Sequence, residues 1–323
     1  MKKWFKYIKF LLTISVISLF GVYIYRNPEI LISLQDLNPA FIIIIIVLLL
    51  VVFLLEGLFV KVTLQAFGRD ISVKESFYIS TISRMGNYLL PMRAGAVFRA
   101  AYLKNKYNFE YSKFLSTLYG YYIILFLLYA VMGIVSLSVK WIFGEELYLI
   151  LLVSFLVLFV LMLTLMFFRI PLQRLIKKKE GFWGKVVEFF DRFIRGWDTI
   201  VKNKKLLKQL IIIILGHIFF NTVVIFIEFI ALGIDVDILN LILYSSLSGV
   251  SLLFSLTPGS LGIREGVFLI TSQSLGLAQG QILQLAIIDR GIIFILLVIM
   301  IIFVTIFLKE FNLKDIFFAK ERD

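Results

Sequence analysis

The fold class is decided by one stretch of the sequence, PAFIIIIIVLLLVVFLLEGLFV at residues 39–60, in which Glu56 is the only charged residue. An α-helix needs about 20 consecutive apolar residues to cross the hydrocarbon core of a bilayer. Similar stretches recur along the chain, so the sequence predicts an all-α, polytopic membrane protein. Six spans are predicted, at residues 8–25, 39–60, 114–138, 147–168, 209–232 and 285–308.

The composition excludes a soluble protein. Hydrophobic residues make up 61% of the 323 residues and charged residues 17%, whereas soluble domains have about 45–50% apolar and about 25% charged residues. The chain has no cysteine and one histidine, His217, which excludes thiolate and multi-histidine metal sites. We therefore expect a single integral membrane domain over residues 1–323, with no metal and no cofactor.

The basic residues predict the orientation of the spans. Of the 33 Lys and Arg residues, four precede the first span, nine lie between Lys61 and Lys113, twelve lie between Arg169 and Lys208, and four follow the last span. Because positive charge stays on the cytoplasmic side, both termini are predicted to face the cytoplasm, beneath the plasma membrane. The net charge of +12 therefore reports topology and not nucleic-acid binding. Residues 169–208 predict a basic cytoplasmic linker that lies on the membrane surface.

Two segments are too rich in proline, glycine and polar residues to form simple spans. They are SRMGNYLLPMRAGAVFR at residues 83–99 and SGVSLLFSLTPGSLGIREG at residues 248–266. Proline removes a backbone donor and glycine permits positive φ, so each segment predicts a helix, a break and a second helix. Both breaks contain the pattern P-x-x-x-G. Their residues are Pro91, Gly95, Pro258, Gly259 and Gly262.

The flanking residues place the two breaks on opposite sides of the membrane. Basic residues flank the first, whereas Asp235, Asp237 and three glutamines flank the second. Two re-entrant hairpins that enter from opposite sides form an inverted-topology repeat, in which broken helices meet near the midplane and build a binding site. The alternative is that residues 240–257 and 262–276 each cross the membrane. The expected number of membrane helices is therefore six to eight.

Ionisable residues inside the last apolar third predict a functional site, because a charge at the bilayer centre costs at least about 2.5–3.5 kcal/mol on insertion scales. These residues are Glu228, Arg264, Glu265, Asp289 and Arg290. The arginines are expected either to pair with the carboxylates and hold the bundle together, or to bind an anionic ligand. At 100° per residue, His217, Asn221 and Glu228 share one helix face. Together with Asp289 they are candidates for a proton or polar relay, and packing is the alternative role for His217.

The first break carries a comparable polar cluster. Its members are Arg84, Asn87, Arg93 and Arg99. They are expected either to face the second cluster or simply to mark the cytoplasmic side. Glu56 lies close to Lys61 near the end of a span and is interpreted as interfacial.

Two of these motifs carry a resemblance to a known family. The stretch at residues 86–99 resembles N-x-x-x-P-x-R-x-G-E/D-x-x-R, and TPGSLGIRE at residues 257–265 resembles P-G-G-x-G-x-R-E. Both elements are typical of the lysylphosphatidylglycerol synthase transmembrane-region, or flippase-like, family, which the chain resembles over roughly residues 10–308. Ala96 stands where an acidic residue is usual and Ser260 where a second glycine is usual. Synthase members carry a cytosolic aminoacyl-transfer domain, and this chain, which ends 15 residues after its last predicted span, is expected to lack it.

The resemblance implies a lipid-handling membrane protein and supplies the candidate site. The implied headgroup-binding residues are Asn87, Arg93, Arg99, Arg264, Glu265 and Arg290. We expect a lipid translocase, not an enzyme, whose partner is an anionic membrane lipid, either a glycerophospholipid or a polyprenyl phosphate. One alternative is an intramembrane lipid-modifying transferase, for which Asp235 and Asp237 form the only D-x-D motif. Another is a membrane partner of a separately encoded lipid synthase or transferase.

Overall fold

The computed structural model describes Tyr25 and residues 37–89, 93–167, 181–255, 257–260 and 262–307, and this part of the chain is all-helical. The helices are α1 Pro39–Ala66, α2 Val73–Leu89, α3 Ala94–Tyr107, α4 Tyr111–Ile142, α5 Leu149–Phe167, α6 Gly181–Lys202, α7 Lys204–Ala231, α8 Ile238–Ser251, α9 Ile263–Ile270 and α10 Gln279–Phe307. Helices α1, α4, α5, α7 and α10 are long and apolar enough to cross a membrane. They overlap five predicted spans, and the sixth, residues 8–25, lies outside the described residues except for Tyr25.

Two of the long helices, α1 and α7, begin where an asparagine side chain caps them. The Asn38 side chain accepts a hydrogen bond from the Ala40 amide at 2.9 Å, and Pro39 follows as the first helical residue of α1. Asn203 caps α7 in the same way through the Leu206 amide at 3.0 Å. Such caps satisfy amides that have no partner inside the helix. Apolar faces of α1 and α7 then pack against each other and against α10.

Helix α6 lies inside the predicted linker of residues 169–208, whose first part, up to residue 180, lies outside the described residues. It packs on α4 and α5. The indole nitrogen of Trp197 donates to the Met166 carbonyl at 3.3 Å, and the Trp197 ring meets the Tyr119 ring edge-to-face at 5.3 Å. This part of the linker is therefore anchored to the helical bundle.

The first broken unit consists of α2, the first break and α3, and its two ends lie side by side. Glu75, in the first turn of α2, accepts from the Tyr102 hydroxyl at 2.5 Å and pairs with Lys106 at 2.9 Å, both near the end of α3. Burial acts to raise the pKa of Glu75, but hydrogen bonds from Tyr102, Tyr107 and Lys106 outweigh it, so the pKa lies below its ordinary value. An ionised Glu75 thus ties the two ends together.

The second broken unit consists of α8, the second break and α9, and its ends also lie together. Lys140, near the end of α4, hydrogen-bonds the Asn240 side chain in the first turn of α8 and the Ser274 carbonyl before α10, the latter at 3.1 Å. Helix α4 begins just after the first unit ends and finishes where the ends of the second unit lie. The two units therefore approach each other from opposite ends of the bundle.

The two breaks share an unusual backbone geometry. Among the described residues, only three non-glycine residues have positive φ: Arg93, Asn108 and Ser260. Arg93 (φ 53°) and Ser260 (φ 57°) each lie two positions after the proline of their break. Pro91 itself lies outside the described residues. The left-handed backbone at Ser260 explains why a glycine is usual at this position.

This geometry predicts a difference between two variants at Ser260. Both Ser260→Gly and Ser260→Ala lose the hydrogen bond between the Ser260 and Ser255 hydroxyls, whose oxygens are 2.6 Å apart. Only glycine also relieves the strain of the positive φ, which costs other residues roughly 1–2 kcal/mol. We expect the glycine variant to be the more stable by about 1 kcal/mol, measured as the thermal unfolding midpoint in detergent. An alanine variant of equal or higher stability would contradict the assigned backbone.

Candidate functional site

A cavity of about 250 Å³ lies where the two broken units meet. Its walls come from both breaks and from α1, α2, α3, α4, α7, α8, α9 and α10. Most of the predicted site residues line it. They are Asn87, Arg93, Arg99, His217, Asn221, Glu228, Arg264 and Asp289, with Gly259 at the second break. The structure thus brings together residues that lie up to about two hundred positions apart in the sequence.

Arg93 joins the two breaks directly. Its guanidinium donates to the Leu252 carbonyl at 2.7 Å and to the Ser255 hydroxyl at 3.3 Å. It also lies over the Tyr122 ring, 4.7 Å from the centroid. Since Leu252 and Ser255 belong to the second break, Arg93 closes the contact between the units.

A chain of polar contacts lines one part of the cavity. Arg84 pairs with Glu56 at 3.1 Å, and the same carboxylate lies 3.3 Å from the His217 imidazole. The Asn221 side chain contacts the His217 ring in turn. The interfacial interpretation of Glu56 was wrong: Glu56 lines the cavity, where Arg84 compensates its charge and the His217 imidazole lies within hydrogen-bond reach. Lys61, expected beside it, instead donates to the Ile71 carbonyl at 3.1 Å.

A second polar cluster surrounds Arg264. Its guanidinium forms an ion pair with Asp289. Asp289 and Glu228 both line the cavity beside Arg264. Glu228 is only 2% exposed, and its Oε1 has no hydrogen-bond partner among the described residues. One arginine therefore serves two buried carboxyl groups.

Arg290 and Glu265 lie behind the second break, outside the cavity lining. The Nε of Arg290 donates to Glu265 at 2.7 Å, and its other nitrogens donate to the carbonyls of Gly259 at 3.1 Å and Ser260 at 3.4 Å. Glu265 also accepts from the Gly262 amide at 2.8 Å. The sequence left two roles open for each arginine, pairing with a carboxylate or binding an anionic ligand. The contacts of Arg290 match the first role, in which the ion pair holds the fold together.

Close backbone packing fixes the first break. A Cβ on Gly95 would lie 1.8 Å from the Ser83 carbonyl oxygen, and one on Gly86 would lie 2.7 Å from the Gly95 Cα. The Asn87 side chain accepts from the Ala96 amide at 3.3 Å. Ala96, the departure from the usual acidic residue, thus contributes its backbone to this crossing. The helices α2 and α3 can approach only because both crossing residues are glycines.

Several donors in the cavity remain available. Within the described part of the chain, Arg84 Nη1, Arg99 Nε and Arg264 Nε are buried and have no hydrogen-bond partner. The lining contains four arginines and three carboxyl groups. The arginines are Arg84, Arg93, Arg99 and Arg264, and the carboxyl groups are Glu56, Glu228 and Asp289. A buried donor without a partner costs about 1–3 kcal/mol, and more when charged. The cavity therefore favours an anion.

Sequence reasoning missed the aromatic part of the lining. Five tyrosines contribute, namely Tyr88, Tyr121, Tyr122, Tyr129 and Tyr244. Tyr122 and Tyr129 are seven residues apart, a spacing that places both on one helix face, so this pair could have been found. Tyr121 is next to Tyr122 on α4, whereas Tyr88 lies on α2 and Tyr244 on α8, and only the fold brings these two to the others.

The comparisons with known proteins agree with the architecture. The family model described as the lysylphosphatidylglycerol synthase TM region matches residues 8–301. No curated protein and no solved structure matches the chain. With five apolar helices and a family match over nearly its whole length, this is a multi-pass membrane protein. The resemblance of its two break motifs is thereby confirmed: the chain belongs to the lysylphosphatidylglycerol synthase transmembrane-region family.

Proposed function

We propose that this protein translocates an anionic lipid across the plasma membrane, with the headgroup in the cavity and the acyl chains in the bilayer. The observation that carries the proposal is the set of unpartnered guanidinium nitrogens on Arg84, Arg99 and Arg264. A phosphate group supplies acceptor oxygens for such donors, and the planar guanidinium binds it through two contacts. The family match supports a lipid as the source of this phosphate.

We infer that the two broken units are re-entrant hairpins of an inverted repeat. Each unit has its ends together and its break in the bundle, and the breaks meet through Arg93. The order span, broken unit, span occurs twice, as α1 to α4 and as α7 to α10. Irregular backbone at this depth is tolerated only where it packs in protein or lines a polar cavity. The basic connections favour entry of the first unit from the cytoplasm, and both termini then face the cytoplasm.

The contact between the breaks suggests how passage is controlled. While Arg93 holds Leu252 and Ser255, the breaks stay joined. A headgroup moving from one face of the membrane to the other needs this contact to open. We propose that a bound headgroup competes with the second break for Arg93.

The transferase alternative receives less support from the position of its motif. Asp237 caps α8 by accepting from the amides of Leu239 at 2.8 Å and Asn240 at 3.0 Å. Neither Asp235 nor Asp237 is in the cavity lining. A transferase would need interfacial carboxylates free to bind a metal or to act as a base. The remaining alternative, a partner for a separately encoded lipid synthase, would be supported by co-purification of such an enzyme.

The test is lipid movement in reconstituted vesicles. Short-chain fluorescent phosphatidylglycerol serves as the probe, and quenching of the outer-leaflet fluorescence reports its movement. Arg99→Ala/Arg264→Ala is expected to slow movement at least about tenfold, because each hydrogen bond to a charged group contributes about 1.5–3 kcal/mol. Mass spectrometry of co-purified lipids should show loss of an anionic lipid from the same variant.

Arg195→Ala is the matched control, since Arg195 lies on α6, is 64% exposed and pairs with Asp191. It removes an arginine outside the cavity and should move lipid at the wild-type rate. If the double variant, folded by gel filtration, moves the probe as fast as this control, the arginines do not bind the headgroup and the proposal is wrong.

A further inference from the structure

Two buried carboxyl groups, Glu228 and Asp289, line the cavity with one arginine, Arg264, and are called the acidic pair below. Asp289 forms an ion pair with Arg264, which leaves Glu228 without a cation of its own. Glu228 is 2% exposed and lines the cavity. An uncompensated buried carboxylate is costly. Arg264, Asp289 and Glu228 all line the cavity, and the three groups together are therefore neutral when the acidic pair holds one proton.

An anion at Arg264 changes this balance. The Arg264 Nε has no partner, so an incoming phosphate oxygen has a donor ready. When the phosphate shares the guanidinium with Asp289, one cation faces two anionic groups. Neutrality in a buried site is restored only if a further proton binds.

We propose that binding of an anionic headgroup at Arg264 is coupled to uptake of a proton by the acidic pair. The inference rests on the proposed function, because it assigns the headgroup to the same cavity. The proton binds a carboxylate oxygen of the pair, and both carboxyl groups are then neutral while the phosphate neutralises Arg264. Headgroup and proton occupy the cavity together, so downhill movement of one drives movement of the other.

The groups around Glu228 make the acidic pair the place where this proton binds. Helix α8 contributes the Tyr244 hydroxyl, α9 contributes Arg264, and α10 contributes Asp289. Helices α1 and α4 contribute Glu56 and Tyr129 to the same cavity, and α10 also carries Arg290 behind the break. Glu56 is already paired with Arg84 and His217, and Arg290 with Glu265. Helix α6 contacts α7 near the first turn of α7, whereas Glu228 lies near the other end of α7, so the described residues of α6 contribute no group beside Glu228. In the described lining of the cavity, only the acidic pair combines two buried carboxyl groups with a single cation, Arg264.

The sign of the pH dependence follows from the proton count. The complex with the anion holds more protons than the free protein. Anion binding therefore strengthens as the pH falls, over the range in which the complex holds the additional proton and the free protein does not. Permanently neutral amides in place of both Glu228 and Asp289 remove this dependence without removing Arg264, whereas a single amide leaves one carboxyl group that can still bind the proton.

The experiment measures protons taken up when a soluble lipid binds. Calorimetric titration of the full-length protein with dioctanoyl phosphatidylglycerol, in two buffers of different ionisation enthalpy, gives the number of protons per lipid. We expect about one proton for the wild type and about none for Glu228→Gln/Asp289→Asn, with binding retained. Dioctanoyl phosphatidylcholine corrects for partition into the micelle. Glu188→Gln, which changes a carboxylate on α6 that is 58% exposed, is the control and should match the wild type.

A single variant is the control for folding and for the proton count. Glu228→Gln alone should still take up about one proton, because Asp289 remains to bind it. Wild-type binding without proton uptake, or unchanged uptake by Glu228→Gln/Asp289→Asn, would overturn the coupling and leave the translocation proposal standing. Failure of the wild type to bind phosphatidylglycerol above phosphatidylcholine would overturn both.

Discussion

Gly95→Ala is expected to destabilise the protein by about 3 kcal/mol or more, because the added methyl group has no space at the crossing of α2 and α3. The new Cβ would lie 1.8 Å from the Ser83 carbonyl oxygen and 2.7 Å from the Asn87 amide nitrogen. Both contacts are to backbone atoms, which cannot rotate away as a flexible side chain can. The helices must separate, and this shifts Arg93 away from the second break.

The measurement is the thermal unfolding midpoint of detergent-purified protein, together with the fraction that elutes as a single species. Gly266→Ala is the matched control, since nothing lies within 4 Å of a Cβ added there. This control lies inside α9, where alanine is the better helix former, so we expect it to be neutral or slightly stabilising. A Gly95→Ala protein as stable as the Gly266→Ala protein would show that the two helices are farther apart than described.

Much of the fold could be predicted from the sequence because the bilayer imposes a length on each span. Five predicted spans coincide with long helices, and both Pro/Gly segments contain a break. The repeated P-x-x-x-G pattern also reflects a real similarity, since Arg93 and Ser260 adopt the same left-handed backbone. The broken segments were expected to meet, but the pattern did not predict that Arg93 would join them by donating to Leu252 and Ser255. This contact depends on how α2 and α8 are placed by the other helices.

The partners of the charged residues could not be predicted, because pairing depends on the packing of separate helices. Arg264 and Arg290 looked equivalent in the sequence, yet Arg264 lines the cavity with Asp289 while Arg290 supports the break with Glu265. Glu56 was misplaced for a related reason. Helix α1 continues to Ala66, so Glu56 lies about 15 Å from its end at 1.5 Å per residue. A charge at that depth needs partners from other helices, and Arg84 and His217 supply them.

Arg290→Ala should destabilise the protein by about 3–5 kcal/mol, the usual cost of removing one partner of a buried ion pair. Arg290 is 4% exposed, and its loss leaves Glu265 without a cation and two carbonyls of the second break without a donor. Arg290→Lys should recover only part of the stability. A lysine ammonium can pair with Glu265, but it lacks the planar fork that reaches Gly259 and Ser260 at the same time.

A double variant separates this supporting role from headgroup binding. In Arg290→Met/Glu265→Gln both charges are removed, so no buried charge remains unpaired, and we expect it to be more stable than Arg290→Ala. Thermal unfolding of the three variants measures the stability, and retention of phosphatidylglycerol by the folded fraction measures the site. If Arg290 acts through the break, Arg290→Lys loses stability but still retains the lipid, since the guanidinium nitrogens of Arg99 and Arg264 are unchanged. Full stability with loss of the lipid would instead make Arg290 a headgroup ligand, and its contacts with the break would then have to open when the lipid binds.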